Sequence, residues 1–520
     1  MEDLLYYSLA IAVCIAIIPL LSSLQNSIFS SSIVYIAGPT SASRNSIISV
    51  VAEILAIPKL KTLVLSAARS RYGPVFTLYL LPSRPAIFVA DHAVAHRALV
   101  QRGAAFADRP PASLPFRIFS SGQRNITSGA YGPLWRALRH NLTSKVFHPS
   151  RLGRFAAARR KALQGLVAGV VAQQMRGDGV VVVEALLHRA MFHILVTMCF
   201  GERLATDAVV AAVEALQREF LTSVLGFQVL DVCPALTRLL FRRRWKQMMS
   251  LRRRQEELFA PLIRACRAQR DAGDGVDDTT TYVDTLLGLQ IPEDGGVRNL
   301  TEGEMVSLCA EFVAVGTDNT ATEAQWIMAN LVAQPEIQAR LRAEIHQVTA
   351  TGGSAGVQEQ DLPRIPYLRA VVLEGLRRHP PGHFAIPHAA TGIDDDGGGL
   401  SLEGFLVPRR ASLNFPLVAL GLDEAVWPDP LRFRPERFLP GGEGADVDLT
   451  GAKEVKMIPF GAGRRICPGM ALALLHLEFF VASLVAEFEW LQVPGEPVEF
   501  AEKQELSVVM RRPLRATVVR

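Results

Sequence analysis

The chain has 520 residues, 49% of them hydrophobic and 20% charged, so it is long enough to bury a large core and, on length alone, to form about two to four domains. Its glycines and prolines are spread out rather than pooled, which excludes collagen-like and low-complexity classes. A net charge of +5 suits an acidic partner or an anionic membrane surface and makes no case for nucleic acid.

Leu4 to Leu21, LLYYSLAIAVCIAIIPLL, carries no charge over 18 residues, enough to cross a bilayer. Glu2 and Asp3 precede it, so the basic front of a cleaved signal peptide is missing, and the first basic residue beyond it is Arg44. The reading is a single uncleaved anchor over 1–24, a linker over 25–48, and a cytosolic body over 49–520. A buried core helix is the alternative. Cys14, Cys199, Cys233, Cys266, Cys309 and Cys467 are far apart and include no C-x-x-C, which argues against a disulfide framework or zinc site and for a reducing compartment.

In the body, the runs VFTLYLL and AIFVA predict a small sheet beside a mainly helical mass. Trp135 and Arg139, in YGPLWRALRH, share a helix face at i and i+4. Arg151 to Gln174 and Val209 to Phe227 carry apolar residues at helical spacing. Arg242 to Arg244 and Arg252 to Arg254 fall on one helix as a solvated basic face, with membrane or acidic-partner contact as the sharper alternative. Polar breaks at Asp271 to Thr281, Thr349 to Gln360, Asp394 to Gly399 and Gly441 to Thr450 read as surface loops within one domain.

Thr301 to about Gln334 reads as a long helix, opened by a capping box of Thr301 with Glu304 and ended by Pro335. At the usual rise it spans roughly 45 Å, enough to cross a domain. In its middle, VGTDNTAT places Gly316, Thr317, Asp318, Asn319 and Thr320 in a row. Four successive polar residues point all around a helix, so one amphipathic face cannot absorb them, and a local opening to oxygen or water is expected. Glu374 and Arg377, in YLRAVVLEGLRRHPP, share a helix face at i and i+3, and FRPERF with Arg437 follows.

The most specific stretch is PFGAGRRICPGMALA, Pro459 to Ala473. Phe460, Gly461 and Gly463 build a tight turn, and Cys467 stands before Pro468, a favoured first residue of a helix. Unpaired N–H groups and the helix dipole there favour a thiolate. A lone thiolate ringed by donors is what thiolate-ligated haem needs. A structural cysteine is the bland alternative. Zinc fails, because the nearest downstream ligand type, His476, is nine residues on. The pattern F-x-x-G-x-R-x-C-x-G has a chance of about 10⁻⁴ in such a chain, which makes it a strong signal.

This loop resembles the haem-binding signature of the cytochrome P-450 superfamily, in the form of its plant microsomal clan. The resemblance implies that family's mainly α fold with small β-sheets, and haem b held by Cys467 and seated by Phe460, Gly463 and Gly469. It implies propionate contacts from Trp135, Arg139, Arg465 and His388, and a buried supporting network of Glu374, Arg377 and Arg437. VGTDNT matches the oxygen-activation motif [AG]-G-x-[DE]-T-[TS] incompletely: Asp318 supplies the acid of the proton relay, Asn319 replaces the threonine, and Thr320 follows.

The resemblance further implies electrons from NADPH through a separate reductase, with cytochrome b5 as a second donor, and residence in the endoplasmic reticulum membrane. The substrate is expected to be lipophilic, in the manner of families acting on fatty acids or linear tetrapyrrole catabolites. It would be met by Pro115 to Phe119, Phe227, Phe312, Val313, Phe384 and Leu506. The hinge departs from the usual proline-rich form, keeping only Gly38-Pro39. Two other functions stay open: a hydroperoxide-rearranging or dehydrating enzyme, motivated by Asn319, and a non-catalytic haem-binding membrane protein.

Overall fold

The β-branched and aromatic run from Val75 forms a strand, Val75–Leu81, antiparallel to Arg84–Val89, which pairs in parallel with Ser412–Asn414. The computed structural model describes residues 69–520 except 70, 82–83, 178, 232–233, 273–279, 294, 353–355, 392–399 and 408–410. The expected anchor and linker lie outside the described residues.

The chain divides into two compact units interleaved in sequence. The first takes the described parts of Met1–Ser113, His383–Asp423 and Asp448–Ile466. Its core gathers Ile87, Val89, Leu99, Phe106, Leu413 and Phe415. Gly463 has a φ of +64°, and a Cβ there would lie 1.8 Å from the Leu99 carbonyl oxygen. Only glycine lets the loop before the cysteine approach that backbone so closely.

The second unit takes Leu114–Gly382, Glu424–Val447 and Cys467–Arg520. Its principal helices in chain order are α1 (Leu114–Phe119), α2 (Pro133–Lys145), α3 (Ala156–Gln174), α4 (Val183–Phe200), α5 (Asp207–Ser223), α6 (Arg242–Asp271), α7 (Glu302–Ala333), α8 (Pro335–Gly352), α9 (Pro366–Arg378) and α10 (Met470–Glu487). The periodic segment from Arg151 is not one helix, because a 3-10 turn at Gly153–Phe155 separates α3 from a short helix at Pro149–Leu152. Similarly, α5 stops at Ser223 and the chain tightens to 3-10 geometry over Val224–Asp231.

Helix α7 is buried around most of its girth and is the axis of this unit. Its capping box forms as expected: Thr301 Oγ1 accepts from the Glu304 amide, and Glu304 accepts from the Thr301 amide at 2.8 Å. Arg298 adds a forked pair to the Glu304 carboxylate at 2.7 and 2.8 Å. Burial alone would raise Glu304, but the Arg298, Thr301 and Arg124 hydrogen bonds bring it down to about 2.

The basic face of α6 is solvated at Arg253 and Arg254 but not at Arg252, which is 7% exposed. Arg252 turns inward to donate to Ser307 Oγ at 3.0 Å and to the Gly303 carbonyl at 3.3 Å, tying α6 to the first turns of α7. Among the described residues, α4 and α10 are long and apolar enough to cross a membrane, yet both are largely buried inside the fold and serve as core helices.

Gly375 is where α9 crosses α7. A Cβ there would fall 2.5 Å from Ile327 Cγ1 and 2.9 Å from Glu323 Oε1. Gly375→Ala is therefore expected to destabilise the protein by about 1–3 kcal/mol through overpacking, read as a lower thermal midpoint. Gly226, where a Cβ would meet Arg244 Nη1 at an ordinary 3.9 Å, should tolerate alanine by the same measurement.

Candidate functional site

In the second unit, Cys467 precedes α10. The helix begins at Met470 with Gly469 as its N-cap, so Pro468 lies in the turn ahead of the helix rather than at its first position. The sulfur accepts the Gly469 amide. Burial pushes the Cys467 thiol up, while that amide and the Arg139 charge pull against it. Burial prevails over the donors expected to favour a thiolate, and a coordinating cation would reverse the balance, since bound metal deprotonates a thiol. Cys199, Cys266 and Cys309 are buried, whereas Cys467 is half-buried.

Helix α2 carries Trp135 and Arg139 on one face, with the guanidinium 6.0 Å from the indole ring centre. Burial lowers the Arg139 pKa and the Cys467 sulfur raises it, so the two groups lie within electrostatic reach. The Trp135 Nε1–H donates to the Ile126 carbonyl at 3.0 Å. That same loop is pinned to α7, where Glu311 accepts from Asn125 Nδ2 at 2.8 Å and from the Ile126 and Thr127 amides at 3.1 and 2.7 Å. Sequence reasoning missed Glu311, whose partners are roughly 185 residues away.

The first unit brings its cationic residues together. Arg465 Nε donates to the Ala107 carbonyl at 2.6 Å, and Arg109 Nη1 to the Ile386 and Pro387 carbonyls at 2.7 and 2.9 Å. The His388 Nδ1–H donates to the Phe106 carbonyl at 2.8 Å. Burial and the Arg465 charge bring Arg109 down to about 9, with Asp108 opposing. Burial and Arg109 bring His388 down to about 3. Positive charges that disfavour one another in buried surroundings make a receptive place for carboxylates. Arg109 was missed, because nothing in its spacing sets it apart from other arginines. Phe460 is half-buried in this unit, next to Gly461 at φ +69°.

Behind Cys467 in sequence terms, but within the second unit, the charged network is assembled. Arg377 forks onto Glu374 at 2.7 and 2.8 Å, and Arg437 Nε reaches the same carboxylate at 3.4 Å. The side chains of all three are fully buried. The Arg434 amide donates to Glu374 at 2.8 Å, Arg377 donates to the Pro430 carbonyl at 2.9 Å, and Arg437 donates to Glu443 at 2.6 Å and to the Asp429 carbonyl at 2.7 Å. Glu443, six residues past Arg437, was another omission.

The expected opening in α7 is not there: the α-helix runs unbroken through VGTDNT. Asn319 Nδ2 donates to the Val315 carbonyl at 3.2 Å and Thr320 Oγ1 to the Gly316 carbonyl at 3.1 Å, while the buried Thr317 hydroxyl has no hydrogen-bond partner. A Cβ on Gly316 would meet Leu195 Cδ1 at 2.8 Å, so the glycine admits α4. Asp318 is buried; His188 Nε2 faces its Oδ1 at 3.3 Å and Ser507 donates to its Oδ2. Ser507 Oγ also stands 3.1 Å from Asn319 Oδ1. Val315, 38% exposed, and the half-buried Asn319 share the open face of the helix.

Of the expected substrate contacts, Phe119 packs edge-on against Phe220 at 4.7 Å. Phe312 stacks between Tyr282 and Phe147 at 4.7 and 5.7 Å. Phe227 and Val313, at 1% and 0% exposure, pack in the core and present no surface to a bound molecule. Leu506 is half-buried beside Ser507, and Phe384, in the first unit, leans on Phe88 at 5.9 Å.

A thiol at a helix start within reach of an arginine, a gathered set of cations, and a buried carboxylate clamped by two arginines are the features a haem-thiolate protein carries. The cytochrome P450 family model matches residues 47–519, and the chain belongs to that family, whose members are monooxygenases with a haem-thiolate iron. It is 44% identical to cytochrome P450 89A9 of Arabidopsis thaliana over 462 residues, 88% of each chain. It is 30% identical to a flavonoid 3'-monooxygenase of Arabidopsis thaliana, over 85% of this chain and 83% of that one. A zebrafish cytochrome P450 solved with progesterone matches in fold with a TM-score of 0.71 at 24% identity, over 88% of this chain and 98% of that one.

The residues present fit a haem. In the second unit Cys467 offers sulfur to iron and Arg139 a positive charge; in the first, Arg109 and Arg465 offer the charge and N–H donors that propionates take, while His388 is neutral and spends its Nδ1–H on Phe106.

Proposed function

We propose that the protein is a membrane-bound monooxygenase of the endoplasmic reticulum, with its catalytic body, 49–520, facing the cytosol. It inserts one oxygen atom of O2 into a lipophilic small molecule by hydroxylation or epoxidation, with electrons from NADPH through a separate flavoprotein reductase and with cytochrome b5 as a second donor. The observation that carries this reading is Cys467: among the described cysteines it is the half-buried one, it accepts an amide and it lies near an arginine.

In this reading Cys467 would hold the iron of haem b through its sulfur, and the haem would supply one-electron and dioxygen chemistry when bound. Arg139, Arg465 and His388 are assigned to its propionates, Arg109 adds charge within the first unit, and Trp135 fixes the second unit's loop through Ile126. Gly463 keeps the cysteine loop against the Leu99 backbone. Asp318 moves protons, and Asn319 presents an amide on the open face of α7 next to Val315. Phe119, Phe312, Phe384 and Leu506 supply apolar surface for the substrate, which orients it and excludes water.

The test is reconstitution with a plant reductase: a lipophilic substrate should shift the haem spectrum and raise NADPH consumption with equal product formed. Turnover of a lipid hydroperoxide without NADPH or O2 would instead support the rearranging reading, which rests on Asn319 standing where the motif has threonine. Asn319→Ala should lower product per NADPH about tenfold or more if the amide assists proton delivery. Equal coupling in the variant would remove that role.

A further inference from the structure

Four groups form a continuous chain inside the second unit: His188 on α4, Asp318 and Asn319 on α7, and Ser507 in the turn before the strand Val508–Met510. His188, Asp318 and Ser507 are at most 5% exposed, and Asn319 is half-buried. The turn is held in place independently, since Trp326 Nε1 donates to the Val508 carbonyl at 3.0 Å and the Val508 amide to the Pro381 carbonyl at 2.8 Å.

Counting hydrogens shows what this chain must hold. The Glu184 carbonyl accepts only, so His188 Nδ1, 3.0 Å away, carries a proton. Asn319 Nδ2 donates to the Val315 carbonyl, which turns Asn319 Oδ1, also an acceptor, toward Ser507. The three remaining contacts, His188 to Asp318, Asp318 to Ser507 and Ser507 to Asn319, therefore need three hydrogens. A neutral imidazole and an ionised carboxylate leave one, on Ser507. One added proton has two places to sit. On His188 Nε2 it faces Asp318 Oδ1, while Ser507 donates to Oδ2. On Asp318 Oδ2 it is donated to Ser507, which then donates to Asn319 Oδ1. Each arrangement leaves one contact without a hydrogen, so neither is complete.

We propose that Ser507 is a proton-transferring residue of this enzyme and that His188 stores the proton it passes. The proposal rests on the reading of Asp318 and Asn319 given above. His188 Nε2 first passes its proton to Asp318 Oδ1, and the neutral carboxyl turns to set that hydroxyl toward Ser507 as Oδ2. Ser507, 1% exposed, then gives its own proton to an oxygen base admitted as the half-buried Asn319 side chain swings aside, and takes the Asp318 proton in exchange. Asp318 is left as a carboxylate, His188 neutral and Ser507 a hydroxyl donating to Oδ2. One proton from water restores the chain.

The holoenzyme tests this in two ways. Ser507→Ala should keep its haem spectrum and its NADPH consumption while product per NADPH falls about 10²-fold, the low end for losing a positioned proton donor, and Ser507→Thr should restore coupling. Infrared difference spectra against Asp318→Asn should show a protonated carboxyl band that moves in D2O, is displaced in Ser507→Ala and returns in Ser507→Thr. His188→Phe should abolish the band's partner signal from imidazolium. Wild-type coupling in Ser507→Ala, or a carboxyl band indifferent to Ser507, overturns the proposal. Unchanged coupling in Asp318→Asn would overturn the reading beneath it, a result distinguishable because it does not involve Ser507.

Discussion

Cys467→Ala is expected to abolish the thiolate-type spectrum of the reduced carbon monoxide complex completely, not merely to weaken it. Among the described residues, no other thiol is placed to replace the sulfur. Burial, with Cys309 beside it, pushes the Cys199 thiol well above its ordinary range, and burial with Asp284 pushes Cys266 up to about 12. These thiols act as small apolar side chains in the core. Burial raises the Cys467 thiol as well, but this cysteine is half-buried and has the Gly469 amide and Arg139 pulling the other way. Cys467→His separates ligand from pocket: haem should be retained with an imidazole-type spectrum and little oxygenase activity, since a neutral nitrogen donates less electron density than a thiolate. A thiolate spectrum surviving in either variant would mean that another residue holds the iron.

Local signals in the sequence were reliable guides to local structure. The limits of α7 followed from Thr301, Glu304 and Pro335, and the structure starts the helix at Glu302 and ends it at Ala333. Glu374 and Arg377 could be paired because i and i+3 share a face, and the structure joins them at 2.7 Å. What stayed hidden was set by tertiary contact. Ser507 meets Asp318 from 189 residues away, and Arg159 on α3 is clamped by Glu359 from 200 away. No periodicity encodes such pairs.

The misreadings have physical causes as well. VGTDNT looked like an opening because isolated polar side chains in a core demand partners. For Asp318, Asn319 and Thr320 the demand is met without breaking the helix, by bonds back to carbonyls one turn earlier and by His188 and Ser507 from neighbouring elements, and Thr317 alone of the four keeps an unpaired hydroxyl. Arg252 was assigned to a solvated face on the strength of two charged triplets, but the hydroxyl and carbonyl groups at the start of α7 draw it inward. In both places composition described the residues correctly and could not say which backbone would come to meet them.

Glu374→Gln should be among the most damaging single changes away from the cysteine, although the new side chain has nearly the same shape. The carboxylate is fully buried and answers two fully buried guanidiniums, Arg377 and Arg437, as well as the Arg434 amide. Neutralising it leaves those charges facing one another in a medium that screens them poorly. Breaking such a cluster costs about 3–5 kcal/mol, a large share of the 5–15 kcal/mol that stabilises an ordinary domain. The expected result is poor recovery of haem-loaded protein and a sharply lower temperature of haem loss. Glu443→Gln is the control that assigns the effect to burial rather than to the loss of any carboxylate. Glu443 also pairs with Arg437, at 2.6 Å, but its side chain is 25% exposed and water can take over part of its role. Its substitution should cost clearly less on the same measurement. Equal losses in the two variants would mean that depth of burial does not decide the strength of this network, and that Glu374 is held for some other reason.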